Sequence, residues 1–260
     1  MRGSVARRLC EPDPVTEWLS APGGLEVLAA DRLRLVEVAA PPLSAEEQAL
    51  TDRAWDEAVE AKPSLFDGPV AASGRLGWEG PGTLALSWIR TTYRRYVPRE
   101  VPGASCWLPH LFVSVLQPTE EGALMVGRMA SWTAAPGRWQ LPSGTGEPPK
   151  DAVTPLDLAD LRALAARELR EETGAEIPPA DLRLWRVTHG PQGDVGALFL
   201  APPRPAAWLR EQHAALIRAE RAMGRHPELE KIAFVHTSDD LAALGQHRAD
   251  YLEPVLRQYA

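Results

Sequence analysis

The chain has 260 residues, of which 45% are hydrophobic and 24% are charged, which is typical of globular proteins and excludes a disordered or fibrous one. Its 28 basic and 35 acidic residues give a net charge of −7, which argues against a protein that coats nucleic acid or lies on an anionic membrane. No segment approaches the roughly 18 uninterrupted apolar residues of a membrane span, and the first ten residues lack the apolar part of a signal peptide. The sequence predicts a cytoplasmic protein without nucleic-acid or membrane partners and leaves its oligomeric state open.

The first hundred residues predict strands around one helix. Ser44 and Glu47 form the capping-box pattern of a helix that ends near Ala61, before Pro63. The segment Pro98–Gly103 is rich in residues that break regular structure and is the predicted domain boundary. We therefore predict a β-rich N-terminal domain over residues 1–103 and a second domain over 104–260. The predicted strands are Gly24–Ala29 and Arg32–Val38, which form a hairpin, then Val70–Trp78 and Thr83–Ile89.

Strands and helices follow one another in the second part. A long helix is predicted from Pro155 to Thr173, with Thr154 as its N-cap and Gly174 as its left-handed C-terminal residue. Strands on both sides of this helix predict a layered α/β or α+β fold. The other predicted elements are strands at His110–Gln117, Ala123–Met129, Leu182–His189, Val195–Ala201 and Ile232–His236, a helix at Ala206–Met223, and two short helical pieces at the end.

Three glutamates dominate the end of the long helix. Glu168, Glu171 and Glu172 stand at positions i, i+3 and i+4, so their carboxylates share one helix face. Two carboxylates about 4 Å apart repel each other by about 4 kcal/mol at an effective dielectric constant near 20. The helix dipole further disfavours negative charge at this end. A hard divalent cation would explain the cluster; the alternative is a solvated helix face with ion pairs to Arg167 and Arg170.

The segment from Arg167 through Ala175 resembles the second half of the Nudix box, G-x5-E-x7-R-E-U-x-E-E-x-G-U, where U is apolar. The preceding segment Trp139–Gly144 is also similar to the family, but Ser143 stands where the first of two glycines is usual. The loop between the two halves is nine residues longer than in the pattern, and the box's first glutamate is missing. The candidates to replace that glutamate are Glu147, Asp157 and Asp160.

The resemblance implies a Nudix α/β/α sandwich with a mixed sheet, and a metal-dependent pyrophosphohydrolase that cleaves a nucleoside diphosphate linked to X. The cofactor would be Mg²⁺, with Mn²⁺ as the alternative. The roles that it implies are metal ligands at Glu171 and Glu172, a ligand or a partner of metal-bound water at Glu168, an orienting arginine at Arg167, a backbone carbonyl ligand at Gly144 or Ser143, and a general base outside the box, first Glu228 and second Glu230.

Two N-terminal segments are similar to the Nudix branch that hydrolyses UDP-glucose and UDP-galactose. They are Trp55–Pro69, with its Leu-Phe-Asp-Gly-Pro end, and the segment Ser87–Tyr96. This resemblance implies cleavage of a UDP-sugar to UMP and sugar 1-phosphate. Substrate contacts would come from Phe66, Asp67, Tyr93 and Arg94. The alternatives are a hydrolase of CoA, NADH or ADP-ribose, and a Nudix-fold module that binds nucleotides without turnover.

Overall fold

The computed structural model describes residues 17–151 and 153–259, so the predictions about the N-terminus concern residues outside it. None of the described helices combines the length and apolar character needed to cross a bilayer. The strands are β1 Glu17–Trp18, β2 Glu26–Leu28, β3 Arg32–Val38, β4 Pro69–Trp78, β5 Thr83–Thr92, β6 Leu111–Leu116, β7 Leu124–Met129, β8 Trp139–Gln140, β9 Ser143–Thr145, β10 Arg183–His189, β11 Val195–Leu200 and β12 Leu229–Val235. The helices are α1 Ala45–Ala61, α2 Leu158–Thr173, α3 Ala206–Ala222, α4 Ser238–Ala243 and α5 Leu252–Tyr259.

The strands form three sheets, with the orders β1-β4-β5-β3, β2-β10-β11-β6-β9 and β12-β7-β8. Strands β6 and β11 are parallel to each other, as are β3 and β5, and the other pairs are antiparallel. The chain therefore has the mixed α/β architecture that the sequence predicts.

The five-stranded sheet lies between two helical layers. Val113 of β6 and Phe199 of β11 belong to a core cluster shared with α2, whereas Leu198 packs in a second cluster with Val255 of α5. Because successive side chains of a strand point to opposite faces, α2 and α5 cover opposite faces of the sheet. This helix–sheet–helix layering confirms the predicted sandwich.

The predicted hairpin of the first two strands is wrong. Strand β2 pairs with β10 in the five-stranded sheet, whereas β3 runs parallel to β5 in the four-stranded sheet. Between them, the backbone N–H groups of Asp31 and Arg32 donate to Gly82 O at 2.8 and 3.1 Å. The turn is thus stabilised by the β4–β5 connection, and the two strands separate instead of pairing.

Helix α2 begins three residues later than predicted. Its N-cap is Asp157, whose carboxylate accepts from Asp160 N at 2.9 Å, while the Asp160 carboxylate accepts from Asp157 N at 3.0 Å. Thr154 instead donates through its backbone N and its hydroxyl to Asp151, at 2.7 and 2.9 Å. Both Asp157 and Asp160 therefore serve the start of the helix, roughly 12–16 Å along its axis from Glu168.

Helix α1 confirms the predicted capping box, because Glu47 N donates to Ser44 Oγ at 3.2 Å and Ser44 N donates to Glu47 Oε2 at 2.9 Å. Residues on both sides of the predicted domain boundary share one core, in which Leu86 and Trp88 of β5 cluster with Leu161 of α2. The division into 1–103 and 104–260 stays a prediction.

Gly174 ends α2 with φ of 74°, as the sequence predicts, and a Cβ there would lie 2.7 Å from Gln212 O of α3. We expect Gly174→Ala to lower the free energy of unfolding by roughly 1–2 kcal/mol through backbone strain, and by about 1–3 kcal/mol more through the clash. Gly224→Ala is the matched control, because φ is 71° and nothing lies within 4 Å. Equal losses for the two variants in urea titrations would contradict this account.

Candidate active site

The last turns of α2 bring Glu168 and Glu172 against strand β9. Glu172 is buried, with 3% of its surface exposed, and its Oε2 accepts a hydrogen bond from Ser143 N at 2.9 Å. Burial raises the pKa of Glu172 well above its usual value, the Ser143 hydrogen bond opposes this, and the charges of Glu168, Glu228 and Glu171 raise it further. The carboxylate is thus fixed to the strand at a position unfavourable for its charge.

Glu168 lies directly over Gly144. A Cβ on Gly144 would be 2.4 Å from Glu168 Cδ, so the Glu168 side chain could not keep its present position beside any larger residue. Burial raises the pKa of Glu168 to about 7, the Arg167 charge opposes this, and the charges of Glu171 and Glu228 raise it further. The carboxylates therefore repel one another, as their spacing along the helix predicts.

Arg167 connects the helix to the preceding loop. Its Nη2 is 2.6 Å from Glu147 Oε1 and 3.4 Å from Glu168 Oε1, and its Nε is 3.9 Å from Glu171 Oε2. Glu171 is half exposed and also lies 3.4 Å from Arg170. Of the three candidates for the missing box glutamate, Glu147 is thus the one that lies beside the carboxylates.

Glu228 completes the group of carboxylates. It lines a cavity of about 550 Å³ together with Glu168, Glu171 and Glu172, which we call the carboxylate cavity. Burial, and then the Glu171 charge, raise the pKa of Glu228, whereas the Lys62 charge lowers it. Glu230 instead pairs with Arg128 at 3.0 Å and does not line this cavity. The structure thus places the first candidate base beside the helix carboxylates and the second one elsewhere.

Other residues of this cavity had no sequence signal. Trp132 is 42% exposed at the cavity, and its Nε1 donates to Pro227 O at 3.3 Å. Glu220 and Arg225, which also line the cavity, pair at 2.7 Å. Trp132 comes from the β7–β8 loop, and Glu220 and Arg225 come from the end of α3 and the α3–β12 loop. All three are far from the glutamate motif in sequence, so only the fold brings them to the cavity.

The chemistry of this donor set fits a hard divalent cation, because oxygen ligands and mutually repelling, partly desolvated carboxylates are what such a cation stabilises. Across residues 17–151 and 153–259, however, no three His, Cys, Asp or Glu side chains are arranged to hold a metal ion as they stand. Glu171 in particular is directed to Arg167 and Arg170. The candidate oxygen ligands line one cavity. To bind a cation together with Glu168 and Glu172, the carboxylate of Glu171 would turn away from Arg167 and Arg170.

The four predicted substrate residues lie apart from the carboxylate cavity. The Asp67 carboxylate accepts from Arg94 N and pairs with Arg94 Nε, both at 2.9 Å, and Arg94 also contacts Asp52 at 2.8 Å. Tyr93 packs edge-on against Tyr96, and burial raises the pKa of its phenol. Phe66 is 79% exposed. The structure thus brings Asp67 and Arg94 together, whereas Tyr93 packs on Tyr96, and the contact of all four residues with substrate stays a prediction.

No model of a known protein family matches this chain, and no curated protein does. Among solved structures, it is similar to a bifunctional NMN adenylyltransferase/ADP-ribose pyrophosphatase from Francisella tularensis complexed with AMP and a manganese ion, at 10% identity and a TM-score of 0.38. That match covers 62% of this chain and 44% of the other, so this chain spans less than half of that protein. A Nudix hydrolase from M. smegmatis, RenU, matches 52% of this chain over 74% of its own, at 15% identity and a TM-score of 0.28. Similarity this low does not decide function, which has to be inferred from the site residues.

Glu172→Gln should stabilise the metal-free protein, because it removes a buried charge and keeps an oxygen acceptor for Ser143 N. We expect a rise in Tm of roughly 2–4 °C in EDTA at neutral pH, measured by calorimetry. Glu176→Gln makes the same change at an exposed carboxylate of the next loop and should leave Tm unchanged. A lower Tm for Glu172→Gln would show that the charged form is the stabilising one.

Proposed function

We propose that this protein is a Nudix-type pyrophosphohydrolase that cleaves a nucleoside diphosphate linked to X. One observation carries the proposal: the Arg-Glu-x-x-Glu-Glu-x-Gly end of α2 packs on Ser143 and Gly144, and Glu228 lines the same cavity as the helix carboxylates. A solvated helix face, the alternative for this motif, does not account for the burial of Glu172.

The divalent cation, Mg²⁺ or Mn²⁺, would be held by the carboxylates of Glu168, Glu171 and Glu172 and by the carbonyl of Gly144. When bound, it would neutralise the pyrophosphate and lower the pKa of an attacking water. Arg167 orients Glu168 and Glu171 through its contacts to both and to Glu147. Glu171 is half exposed at the rim of helix α2 and already lines the cavity. Its carboxylate can therefore turn from Arg167 and Arg170 towards Glu168 and Glu172 without unpacking the helix.

Glu228 is the proposed general base. A carboxylate whose pKa is raised accepts a proton more readily at neutral pH than an ordinary one, and Glu228 lines the cavity of the helix carboxylates. In the proposed reaction a water oxygen bonds to one phosphorus, its proton passes to Glu228, and the bridging P–O bond breaks so that the second phosphate leaves.

UDP-sugars are the leading substrate class, which would yield UMP and sugar 1-phosphate. The support is the resemblance of the Trp55–Pro69 and Ser87–Tyr96 segments to that branch. The Asp67–Arg94 pair joins these two segments, so both keep a fixed relation to each other. CoA, NADH and ADP-ribose remain alternative substrates, and binding without turnover is the rival function, because Glu171 is paired with arginines and the box lacks one glutamate.

A substrate panel separates these alternatives. We expect UDP-glucose or UDP-galactose to be hydrolysed fastest with Mg²⁺, with UMP as a product on chromatography, and EDTA to abolish the release. Faster hydrolysis of CoA, NADH or ADP-ribose would refute the sugar-nucleotide assignment. Binding of nucleotides without release of any product, with Mg²⁺ or Mn²⁺, would favour the non-catalytic module.

Glu228→Gln tests the base. It removes the proton acceptor but keeps the size of the side chain, so kcat should fall by about 10²–10⁴. Glu230→Gln is the matched control two residues away, because Glu230 pairs with Arg128 outside the cavity. Retention of kcat in Glu228→Gln, or an equal loss in Glu230→Gln, would exclude Glu228 from this role.

A further inference from the structure

A second cavity, of about 610 Å³, lies beside strand β9 and is lined by Arg138, Gln140, Ser143, Phe112 and Tyr251 among others. We call it the Arg138 cavity. Gly144 presents its Cβ position to Glu168 of α2, so the neighbouring side chain of Ser143 points to the opposite face of the sheet. The Arg138 cavity is therefore on the α5 face, and β9 separates it from the helix carboxylates.

Most charges of the Arg138 cavity are compensated or exposed. Arg99 forms two bonds to the Asp194 carboxylate, at 2.9 and 2.6 Å, and Asp194 also accepts from His110 N at 2.7 Å. Arg248 lies 3.9 Å from Glu253. The two other acidic residues that line the cavity, Glu100 and Asp250, are exposed to solvent.

Arg138 is different. In the part of the chain that the structure describes, it has no carboxylate within ion-pair distance. Its Nε and Nη2 both donate to the neutral Gln140 Oε1, at 3.2 and 2.7 Å. The guanidinium is half-buried, without a carboxylate partner, beside a cavity large enough for a small ligand.

A chain of hydrogen bonds orients this guanidinium. Gln140 Nε2 donates to Ser143 Oγ at 2.9 Å, which directs Gln140 Oε1 towards Arg138. Ser143 N in turn donates to Glu172 Oε2 at 2.9 Å. A glycine at position 143, as in the Nudix pattern, would lack the hydroxyl. The serine that departs from the pattern is thus the residue that fixes Gln140.

The lining of the Arg138 cavity also includes aromatic side chains. Phe112 stacks on Tyr251, with ring centroids 5.9 Å apart and an interplanar angle of 28°. Tyr251 is itself fixed, because its hydroxyl accepts from Leu141 N at 3.3 Å. A planar ring can pack on Phe112 while an anionic group reaches Arg138, and this combination of ring and anion is that of a nucleotide.

We infer that the Arg138 cavity binds a phosphate-bearing ligand of nucleotide size, with Arg138 on the phosphate and Phe112 beside the base. The inference rests on the proposed function only for the expectation that the ligand is a nucleotide. Binding itself needs neither the carboxylate cavity nor turnover.

Gln140→Glu is the sharpest test. It keeps the size of the side chain but places a carboxylate on Arg138, so the arginine is neutralised within the protein. Calorimetric titration of the full chain with UMP and with AMP in EDTA should show binding that weakens roughly 10- to 100-fold in Gln140→Glu and in Arg138→Ala. Arg128→Ala, which removes an arginine outside this cavity, should bind as the wild type does, and the Tm of each variant reports whether it is folded.

Comparisons of ligands and of variants decide the outcome. Uridine, without phosphate, should bind at least about tenfold more weakly than UMP, whereas binding of inorganic phosphate as tight as that of UMP would make the site one for the free ion. Equal affinity of folded Gln140→Glu and wild type for UMP, or no binding of UMP and AMP by the wild type, would overturn the inference. If no nucleotide is hydrolysed but binding still depends on Arg138, the proposed function fails and the ligand site stands.

Discussion

The hydrogen bond from Ser143 N to the buried carboxylate of Glu172 is the interaction on which the site depends. It joins a short strand to the end of a long helix, and the absence of a side chain at Gly144 lets Glu168 lie against the same strand. A β-carbon at that glycine would overlap the Glu168 side chain, which would then have to move. The glycine therefore lets Glu168 lie against the strand to which Glu172 is hydrogen-bonded.

The buried and neighbouring carboxylates of this site destabilise the folded protein, and the rest of the fold has to offset that cost. Burial raises the pKa of Glu168 to about 7 and also raises the pKa values of Glu172 and Glu228, and the charge of Glu171 raises all three further. The surrounding core offsets this with buried leucines of α2 packed between two sheets. Protein stability and the chemistry of the site are opposed here, as they commonly are where charges of one sign are gathered for a ligand.

Local signals predicted the helices well. The capping box of Ser44 and the left-handed position of Gly174 depend on a few adjacent residues, so they can be found without the fold. The start of α2 was missed because two neighbouring aspartates, Asp157 and Asp160, cap each other in place of a threonine and a proline. The hairpin was missed because the β2–β10 and β3–β5 pairings join residues far apart in sequence, which no local pattern encodes.

The candidate site divides in the same way. The spacing of Glu168, Glu171 and Glu172 already places them on one helix face, and the family resemblance points to Glu228 as a candidate base from the sequence alone. Trp132 and the Glu220–Arg225 pair carry no recognisable motif and meet the carboxylates through loop paths alone. The hydrogen bonds that link Arg138, Gln140 and Ser143 could not be predicted either, although the three residues are close in sequence. They depend on which side chains point to the same face of the sheet.

The core shared across the predicted boundary has a consequence for folding. Ala71 N of β4 donates to Gly146 O, next to Glu147, which pairs with Arg167. Strand β2 joins the five-stranded sheet by pairing with β10. Contacts between such distant parts form slowly, because the intervening chain loses entropy before they can form. During synthesis the carboxylate-bearing helix is made well before α5, which covers the other face of its sheet. The scaffold that holds the site therefore depends on contacts between distant parts of the chain, some of which can form only after α5 has been synthesised.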